Sequence, residues 1–211
     1  MLLGLFSARS DAATPHVVEP LLCDPIQGYL SASLYLPPEP TAVVIVDVGA
    51  KMWDRWGDTP SHAYGHYRSL AEGLAGSSVA VVLYDKRGTG ASPGVLDDMP
   101  GRIRDSESMT ACASTRLPGV PQVRLGHSMG TRVVSQAPSG RAGTVLLSPV
   151  ISNEQYPAGP VLVLRGELDE TVKDGKVVPG ADHLLMRDGA LASEVVPLVE
   201  EWIRSTVAAM P

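Results

Sequence analysis

The sequence has few of the residues on which several classes of protein depend. Among its 211 residues there are one phenylalanine and two cysteines, and no apolar run approaches the ~20 residues that a membrane-spanning helix needs. No basic run occurs and the net charge is −6, so we expect neither nucleic acid nor a membrane as a partner. Hydrophobic residues still make up 44% of the chain, which is enough for a packed core and too many for a disordered protein.

The two cysteines, Cys23 and Cys112, do not have the spacing of a metal or redox motif. A disulfide is one alternative, but we expect two reduced thiols. The chain starts with a short apolar stretch before Arg9, and no basic segment precedes that stretch, which does not favour a signal peptide. We therefore expect a cytoplasmic protein with an N-terminal extension over residues 1–15 and a single domain over residues 16–211.

Strand and helix patterns alternate along the chain. Residues 28–36 alternate with period two, as in a half-buried strand, whereas residues 42–48 and 79–84 are β-branched runs typical of strands buried on both faces. Between these two runs, apolar residues from Tyr67 to Ala75 recur at helical spacing, and Gly76 ends that helix. The pattern predicts an α/β fold with a mostly parallel sheet, an antiparallel N-terminal edge and helices on both faces. Further strands are expected at residues 17–22, 121–125, 144–147 and 161–165, and a last helix at residues 191–203, where Pro197 leaves the helix start open.

Gly126-His127-Ser128-Met129-Gly130 matches the pattern G-x-S-x-G and lies between a predicted strand and a predicted helix. A nucleophilic serine needs such a tight strand-to-helix turn, with small residues on both sides that let the backbone pass closely. The turn would expose the hydroxyl group of Ser128 and aim a helix N-terminus at developing negative charge. The alternative is a glycine-bracketed loop with an ordinary serine.

A serine hydroxyl needs a base that takes its proton and an acid that orients the base. Asp169 directly follows the predicted strand at residues 161–165, at the strand end where α/β sheets carry their sites. Glu167 and Glu170 are competing carboxylates, but Asp169 lies after Ser128 and before His183, in the chain order of this type of site.

Of the five histidines, His183 has the best position for the base because it follows a Pro-Gly turn late in the chain. His62 and His66 lie four residues apart and could form a metal pair, but no third ligand is evident, so we predict loop residues and no metal. No cofactor is implied. For the oxyanion hole we expect the Met129 N–H and, from the loop after residues 42–48, the Ala50 N–H.

The chain resembles α/β-hydrolases of the esterase and serine-aminopeptidase-like type. The resemblance rests on GHSMG at residues 126–130, VLVLRGELD at 161–169, PGADH at 179–183, YDKRGTGASPG at 84–94, and the segments at 54–55 and 67–75. It implies hydrolysis of an ester, thioester or amide in a small acyl substrate through an acyl-enzyme. The family commonly has His-Gly after its third strand, whereas this chain has Val48-Gly49.

Two connections are short for this family. Residues 170–182 leave no room for the usual crossover helix, so we expect at most a short strand near residues 176–178. Residues 149–160 leave no room for a lid domain. Two functions are compatible with such a shortened chain: a serine esterase, which we favour, and a catalytically weak hydrolase-like protein with a binding or structural role.

Overall fold

The computed structural model describes residues 15–23, 28–50, 53–95, 98–137 and 142–211. The predicted N-terminal extension lies outside this part of the chain except for residue 15. Eight strands form one sheet in the order β1-β2-β4-β3-β5-β6-β7-β8. The strands are β1 (Val17–Cys23), β2 (Leu30–Leu36), β3 (Ala42–Asp47), β4 (Val79–Tyr84), β5 (Gln122–His127), β6 (Gly143–Leu147), β7 (Val161–Gly166) and β8 (Lys176–Val178).

The sheet has the predicted mixture of directions. β1 pairs with β2 and β2 with β4 in antiparallel fashion, while β3 to β8 are joined by parallel pairings. β3 and β4 are buried along their whole length, as their β-branched runs predict. The half-buried strand predicted at β2 is wrong: most of this strand is buried because β1 lies outside it and both of its faces are covered.

Two helices pack on each face of the sheet. α1 (His66–Ala75) and α4 (Val195–Ala208) contact each other on one face, and α2 (Met99–Arg116) and α3 (Gly130–Gln136) contact each other on the other. α2 has no counterpart in our sequence analysis because its buried positions carry few apolar residues, Met109 and Ala113, beside small and polar ones. α4 starts later than predicted, so that Pro197 lies in its first turn. A proline is tolerated there because the N–H groups of the first turn have no partner within the helix.

The two short connections have the predicted form. β8 has three residues and pairs with β7, and turns without a helix occupy the segment between them. Between β6 and β7 the structure has only a 3₁₀ turn at Asn153–Gln155, which leaves the site without a lid. A small hairpin of β9 (Met186–Arg187) and β10 (Ala190–Leu191) precedes α4. Within the described ranges, no helix has the length and apolar character needed to cross a membrane.

The prediction of two reduced thiols is wrong. Cys23 and Cys112 form a disulfide that joins edge strand β1 to α2. Their separation of 89 positions hides this pairing in the sequence, because only the packing of α2 on the β1 side of the sheet brings the two cysteines together. Disulfides persist mainly in oxidising compartments, so this bond weighs against the cytoplasmic location, which stays a prediction.

Candidate active site

Ser128 lies in the turn between β5 and α3, at the carboxyl end of a central strand. Its φ of 51° is in the left-handed region, which a non-glycine residue adopts only under constraint. The two flanking glycines are required by close packing: a Cβ at Gly126 would lie 2.6 Å from the Gly130 carbonyl oxygen, and one at Gly130 would overlap the carbonyl oxygen of Asp47. The turn therefore has the geometry that the G-x-S-x-G pattern predicts.

Three side chains form one line of hydrogen bonds at this turn. Nε2 of His183 lies 2.9 Å from Oγ of Ser128, and its Nδ1 lies 2.7 Å from Oδ2 of Asp169. Because a carboxylate only accepts, Nδ1 carries the proton and Nε2 is left to accept from the serine hydroxyl group. The structure thus brings together the three residues that the sequence analysis selected.

The short segment after β7 places His183 by crossing directly over the end of that strand. The N–H of Leu168 donates to the Ala181 carbonyl, and a Cβ at Gly166 would overlap the carbonyls of Ala181 and Asp182. Oδ1 of Asp182 accepts from two backbone N–H groups of the following turn, those of Leu184 and Met186. Gly166 and Asp182 therefore allow this short segment to position His183 without a crossover helix.

Asp169 is the carboxylate that faces the histidine. Burial alone would raise the pKa of Asp169, but hydrogen bonds from Thr171 and His183 outweigh burial and lower it. Thr171 donates from both its N–H and its hydroxyl group to Oδ1, at 3.1 and 2.5 Å. Of the two competing carboxylates, Glu167 accepts from the Gly180 N–H and Glu170 is exposed. Thr171 had no signal in the sequence beyond its nearness to Asp169.

His127 is buried behind the serine and joins two parts of the site. Its Nε2 lies 2.9 Å from the His183 carbonyl oxygen, which only accepts, so this nitrogen carries the proton. Its Nδ1 therefore accepts from the hydroxyl group of Tyr67 at 2.6 Å. Burial lowers the pKa of His127 to about 4, so the ring is neutral at pH 7. Sequence periodicity identified Tyr67 only as a core residue of α1, and nothing in the sequence marks its contact with His127.

The loop after β3 lies against the serine and is held by three side chains. The Gly49 N–H donates to the Tyr67 hydroxyl at 3.0 Å, and Nζ of Lys86 donates to the Gly49 carbonyl at 2.9 Å. Nη2 of Arg102 donates to the carbonyl of Val48 at 2.7 Å. These contacts support the loop at the position where the family commonly has histidine and this chain has valine.

The two predicted oxyanion donors lie on the loop after β3 and on the turn that carries Ser128. Ala50 follows Gly49 in the loop and is exposed, and Met129 is the N-cap residue of α3 directly after Ser128. A Cβ at Gly49 would lie 3.5 Å from Cβ of Ser128, so the loop and the turn are in contact. That the N–H groups of Ala50 and Met129 bind an oxyanion stays a prediction.

The two histidines considered as a metal pair have different surroundings: His62 lies in the loop before α1, whereas His66 is the first residue of α1, so the prediction of a loop residue is wrong for His66. The His62 ring packs against Tyr64, whereas the buried His66 ring packs on Tyr67 at 4.0 Å between centroids. Both ring nitrogens of His66 are without hydrogen-bond partners, and burial lowers its pKa to about 3. In the described segments, no group of three or more histidine, cysteine, aspartate or glutamate side chains has a geometry that could hold a metal ion.

A cavity of about 440 Å³ lies beside the loop that carries His183. It is lined by Leu168 and Asp182, the sequence neighbours of Asp169 and His183, and by side chains from the loop before α1 and from the β9–β10 hairpin. Leu168, which lines this cavity, is 66% exposed. Its apolar surface is thus open to a ligand in the cavity.

The curated proteins that this chain resembles include monoglyceride lipases. The chain is 30% identical over 151 residues to the monoglyceride lipase of Homo sapiens, which covers 68% of this chain and 46% of the relative. It is also 30% identical over 124 residues to the monoglyceride lipase homolog of Monkeypox virus, covering 54% of this chain and 45% of the relative. The chain thus spans about half the length of the curated relatives it matches.

Solved structures share the fold. An α/β serine hydrolase without lid from Xanthomonas campestris superimposes with a TM-score of 0.70 at 20% identity, covering 93% of this chain and 98% of that one. The dienelactone hydrolase of Anabaena variabilis gives a TM-score of 0.70 at 19% identity, with coverage of 90% and 98%. The family model for serine aminopeptidase, S33, matches residues 61–195, which is more than half of the chain. The chain therefore belongs to the S33 serine aminopeptidase-like family of α/β-hydrolases, of which it is a shortened, lidless member.

Proposed function

We propose that this protein is a serine esterase that cleaves small acyl substrates through an acyl-enzyme. The observation that carries the proposal is the line of hydrogen bonds from Ser128 through His183 to Asp169. In this mechanism Nε2 of His183 takes the proton of the Ser128 hydroxyl as Oγ attacks the ester carbonyl. The same proton then passes to the leaving alcohol, and Asp169 stabilises the imidazolium that forms between the two steps.

When Oγ attacks, the carbonyl oxygen of the substrate becomes negatively charged and needs hydrogen-bond donors beside it. We assign this role to the N–H groups of Met129, at the start of α3, and of Ala50. After the alcohol has left, water attacks the acyl carbonyl while His183 takes its proton. The bond between the acyl carbon and Oγ then breaks, the carboxylic acid leaves, and His183 returns the proton to Ser128.

Small esters are the substrates that the site supports best. The short connection between β6 and β7 provides no roof over Ser128, and the cavity beside His183 has about 440 Å³, near the lower end of small-molecule sites. Several curated relatives are named as monoglyceride lipases, which fits ester hydrolysis. Because this chain spans about half of their length, their substrate is not carried over.

Fluorophosphonate labelling tests this proposal. The reagent phosphonylates a serine only when a base activates its hydroxyl group, so the wild-type protein is expected to be labelled and Ser128→Ala is not. In parallel, hydrolysis of p-nitrophenyl acetate should fall by several orders of magnitude in Ser128→Ala. A folded wild-type protein that neither reacts with the probe nor hydrolyses the ester would support the catalytically weak binding protein instead.

A further inference from the structure

Two basic side chains converge on the backbone of the loop after β3. Lys86 is 4% exposed and its Nζ donates to the Gly49 carbonyl at 2.9 Å. Arg102, on α2, donates from Nη2 to the Val48 carbonyl at 2.7 Å and lies 3.5 Å from the Gly49 carbonyl. Neither side chain is part of the Ser128–His183–Asp169 line, so the steps of ester hydrolysis do not account for their contacts with this loop.

These contacts determine the orientation of two consecutive peptide groups. In a trans peptide the C=O and the N–H point in opposite directions. In the Val48–Gly49 peptide the carbonyl faces Arg102 and the N–H faces the Tyr67 hydroxyl. In the Gly49–Ala50 peptide the carbonyl faces Lys86, so the Ala50 N–H points away from Lys86.

The order of strands and the contact of Gly49 with Ser128 indicate the side to which that N–H points. Lys86 follows β4 and Ser128 follows β5, and β3 lies between these two strands in the sheet. A Gly49 carbonyl turned towards the β4 side therefore turns the next N–H towards the β5 side, where Ser128 lies. With no contact to Lys86, the glycine before Ala50 would allow this peptide to rotate, because glycine adopts a wide range of backbone angles.

We propose that Lys86 and Arg102 are positioning residues that hold the Gly49–Ala50 peptide with its N–H aimed at the substrate oxygen. This inference rests on the proposed esterase function. Lys86 acts on the Gly49 carbonyl and Arg102 mainly on the Val48 carbonyl, so Lys86 has the larger effect on the Ala50 N–H. An oxyanion donor kept in place before the substrate arrives needs no reorganisation during the reaction.

The test uses Lys86→Met, which keeps the length of the side chain and removes its donor. Burial and the nearby Arg102 guanidinium lower the pKa of Lys86 to about 7, so the fold already disfavours its charge and a neutral side chain is expected to be tolerated. With p-nitrophenyl acetate, kcat should fall at least about tenfold while KM stays within about threefold, because the oxyanion exists only in the transition state. A trifluoromethyl ketone, which Ser128 converts into a tetrahedral oxyanion, should bind more weakly by the same factor as kcat falls.

Two further variants separate positioning from a general loss of structure. Lys86→Arg keeps a donor and should restore most of kcat. Arg87→Met removes the neighbouring buried cation, which pairs with Asp105 on α2, and should lower the melting temperature at least as much as Lys86→Met while keeping kcat within about twofold. Equal kcat in wild type and Lys86→Met, or a loss found only in KM, would overturn the proposal.

A crystal structure of Lys86→Met gives a result that does not depend on activity. The Gly49–Ala50 peptide is expected to rotate, with its carbonyl no longer turned to the β4 side. An unrotated peptide would overturn the positioning role even if the wild-type protein is an active esterase. If the wild-type protein hydrolyses no ester but the peptide is rotated in Lys86→Met, the proposed function is contradicted, whereas the role of Lys86 in orienting the loop is supported.

Discussion

Nε2 of His127 lies 2.9 Å from the backbone carbonyl oxygen of His183. His127, which directly precedes Ser128, therefore fixes the main chain of His183, whose side chain contacts Ser128. On its other side His127 accepts from Tyr67, whose oxygen in turn accepts from the Gly49 N–H. Three parts of the site are thereby joined through one buried hydroxyl group. The support behind the Ser128 turn therefore includes a tyrosine of α1.

Tyr67→Phe is expected to lower the free energy of unfolding by about 1–3 kcal/mol, because it leaves the Gly49 N–H and Nδ1 of His127 buried without their partner. Urea unfolding followed by circular dichroism measures this difference. Tyr29→Phe serves as a control, since Tyr29 is 47% exposed and its substitution should change the free energy by less than about 0.5 kcal/mol. Equal stabilities of the two variants would show that the Tyr67 hydroxyl is not a structural link.

Asp169→Asn should lower kcat by about four orders of magnitude while preserving the fold, because an amide at this position favours the wrong tautomer of His183. Glu170→Gln changes an exposed carboxylate one residue away and should leave kcat within about twofold. Steady-state hydrolysis of p-nitrophenyl acetate compares the two variants. A large loss in Glu170→Gln with a small one in Asp169→Asn would mean that the acid has been assigned to the wrong residue.

Stability should fall as the pH is lowered below about 6.5, owing to His66 and His127. Burial lowers their pKa values to about 3 and about 4, so between these values and the ordinary pKa of about 6.5 the unfolded chain binds protons that the folded chain does not. Under this linkage stability rises with pH across the interval, and between pH 7 and pH 5 each histidine accounts for roughly 2 kcal/mol.

His66→Phe tests this dependence, because it keeps an aromatic ring against Tyr67 and cannot be protonated. Urea unfolding at pH 7 and pH 5 should show a loss of stability that is smaller in this variant than in the wild-type protein by roughly 2 kcal/mol. His62→Phe is the matched control at the exposed histidine four residues earlier, and it should leave the pH dependence unchanged. An identical loss in wild type and His66→Phe would contradict a neutral buried His66.

Reduction of the Cys23–Cys112 disulfide should lower the free energy of unfolding by about 2–4 kcal/mol, because the bond closes a long loop and restricts the unfolded chain. Melting temperatures with and without dithiothreitol measure the effect. The double variant Cys23→Ala/Cys112→Ala should melt at the same temperature in both conditions. Wild-type protein that is insensitive to the reductant, with two free thiols on titration, would restore the prediction of reduced cysteines.

Acyl-chain length is the measure of substrate size. Because no lid covers Ser128, the methylene groups of a long acyl chain would stay in water, and each forgoes about 0.8 kcal/mol of binding. We expect kcat/KM for p-nitrophenyl esters to be highest for short acyl chains and to show no jump above the solubility limit of the substrate. A steady rise towards the longest chains would indicate an apolar tunnel and contradict an open site.

The sequence by itself predicted the layers of the fold and the three side chains that the structure joins by hydrogen bonds at the Ser128 turn. The β-branched runs of β3 and β4 are typical of strands buried on both faces, and a serine between two glycines at a strand-to-helix junction is typical of a nucleophile turn. These features are local: the period of a strand, the spacing within a turn and the order of Ser128, Asp169 and His183 are all written along the chain.

Only the tertiary structure decided what holds those side chains in place. Tyr67 and His127 are 60 positions apart, Lys86 and Gly49 are 37 apart, and Cys23 and Cys112 are 89 apart. α2 likewise escaped prediction, because it buries mostly small and polar residues that leave little helical periodicity. A contact between distant residues has no period and no spacing in the sequence, so the hydrogen bonds that orient the site exist only once the sheet has brought the ends of β3, β4 and β5 together.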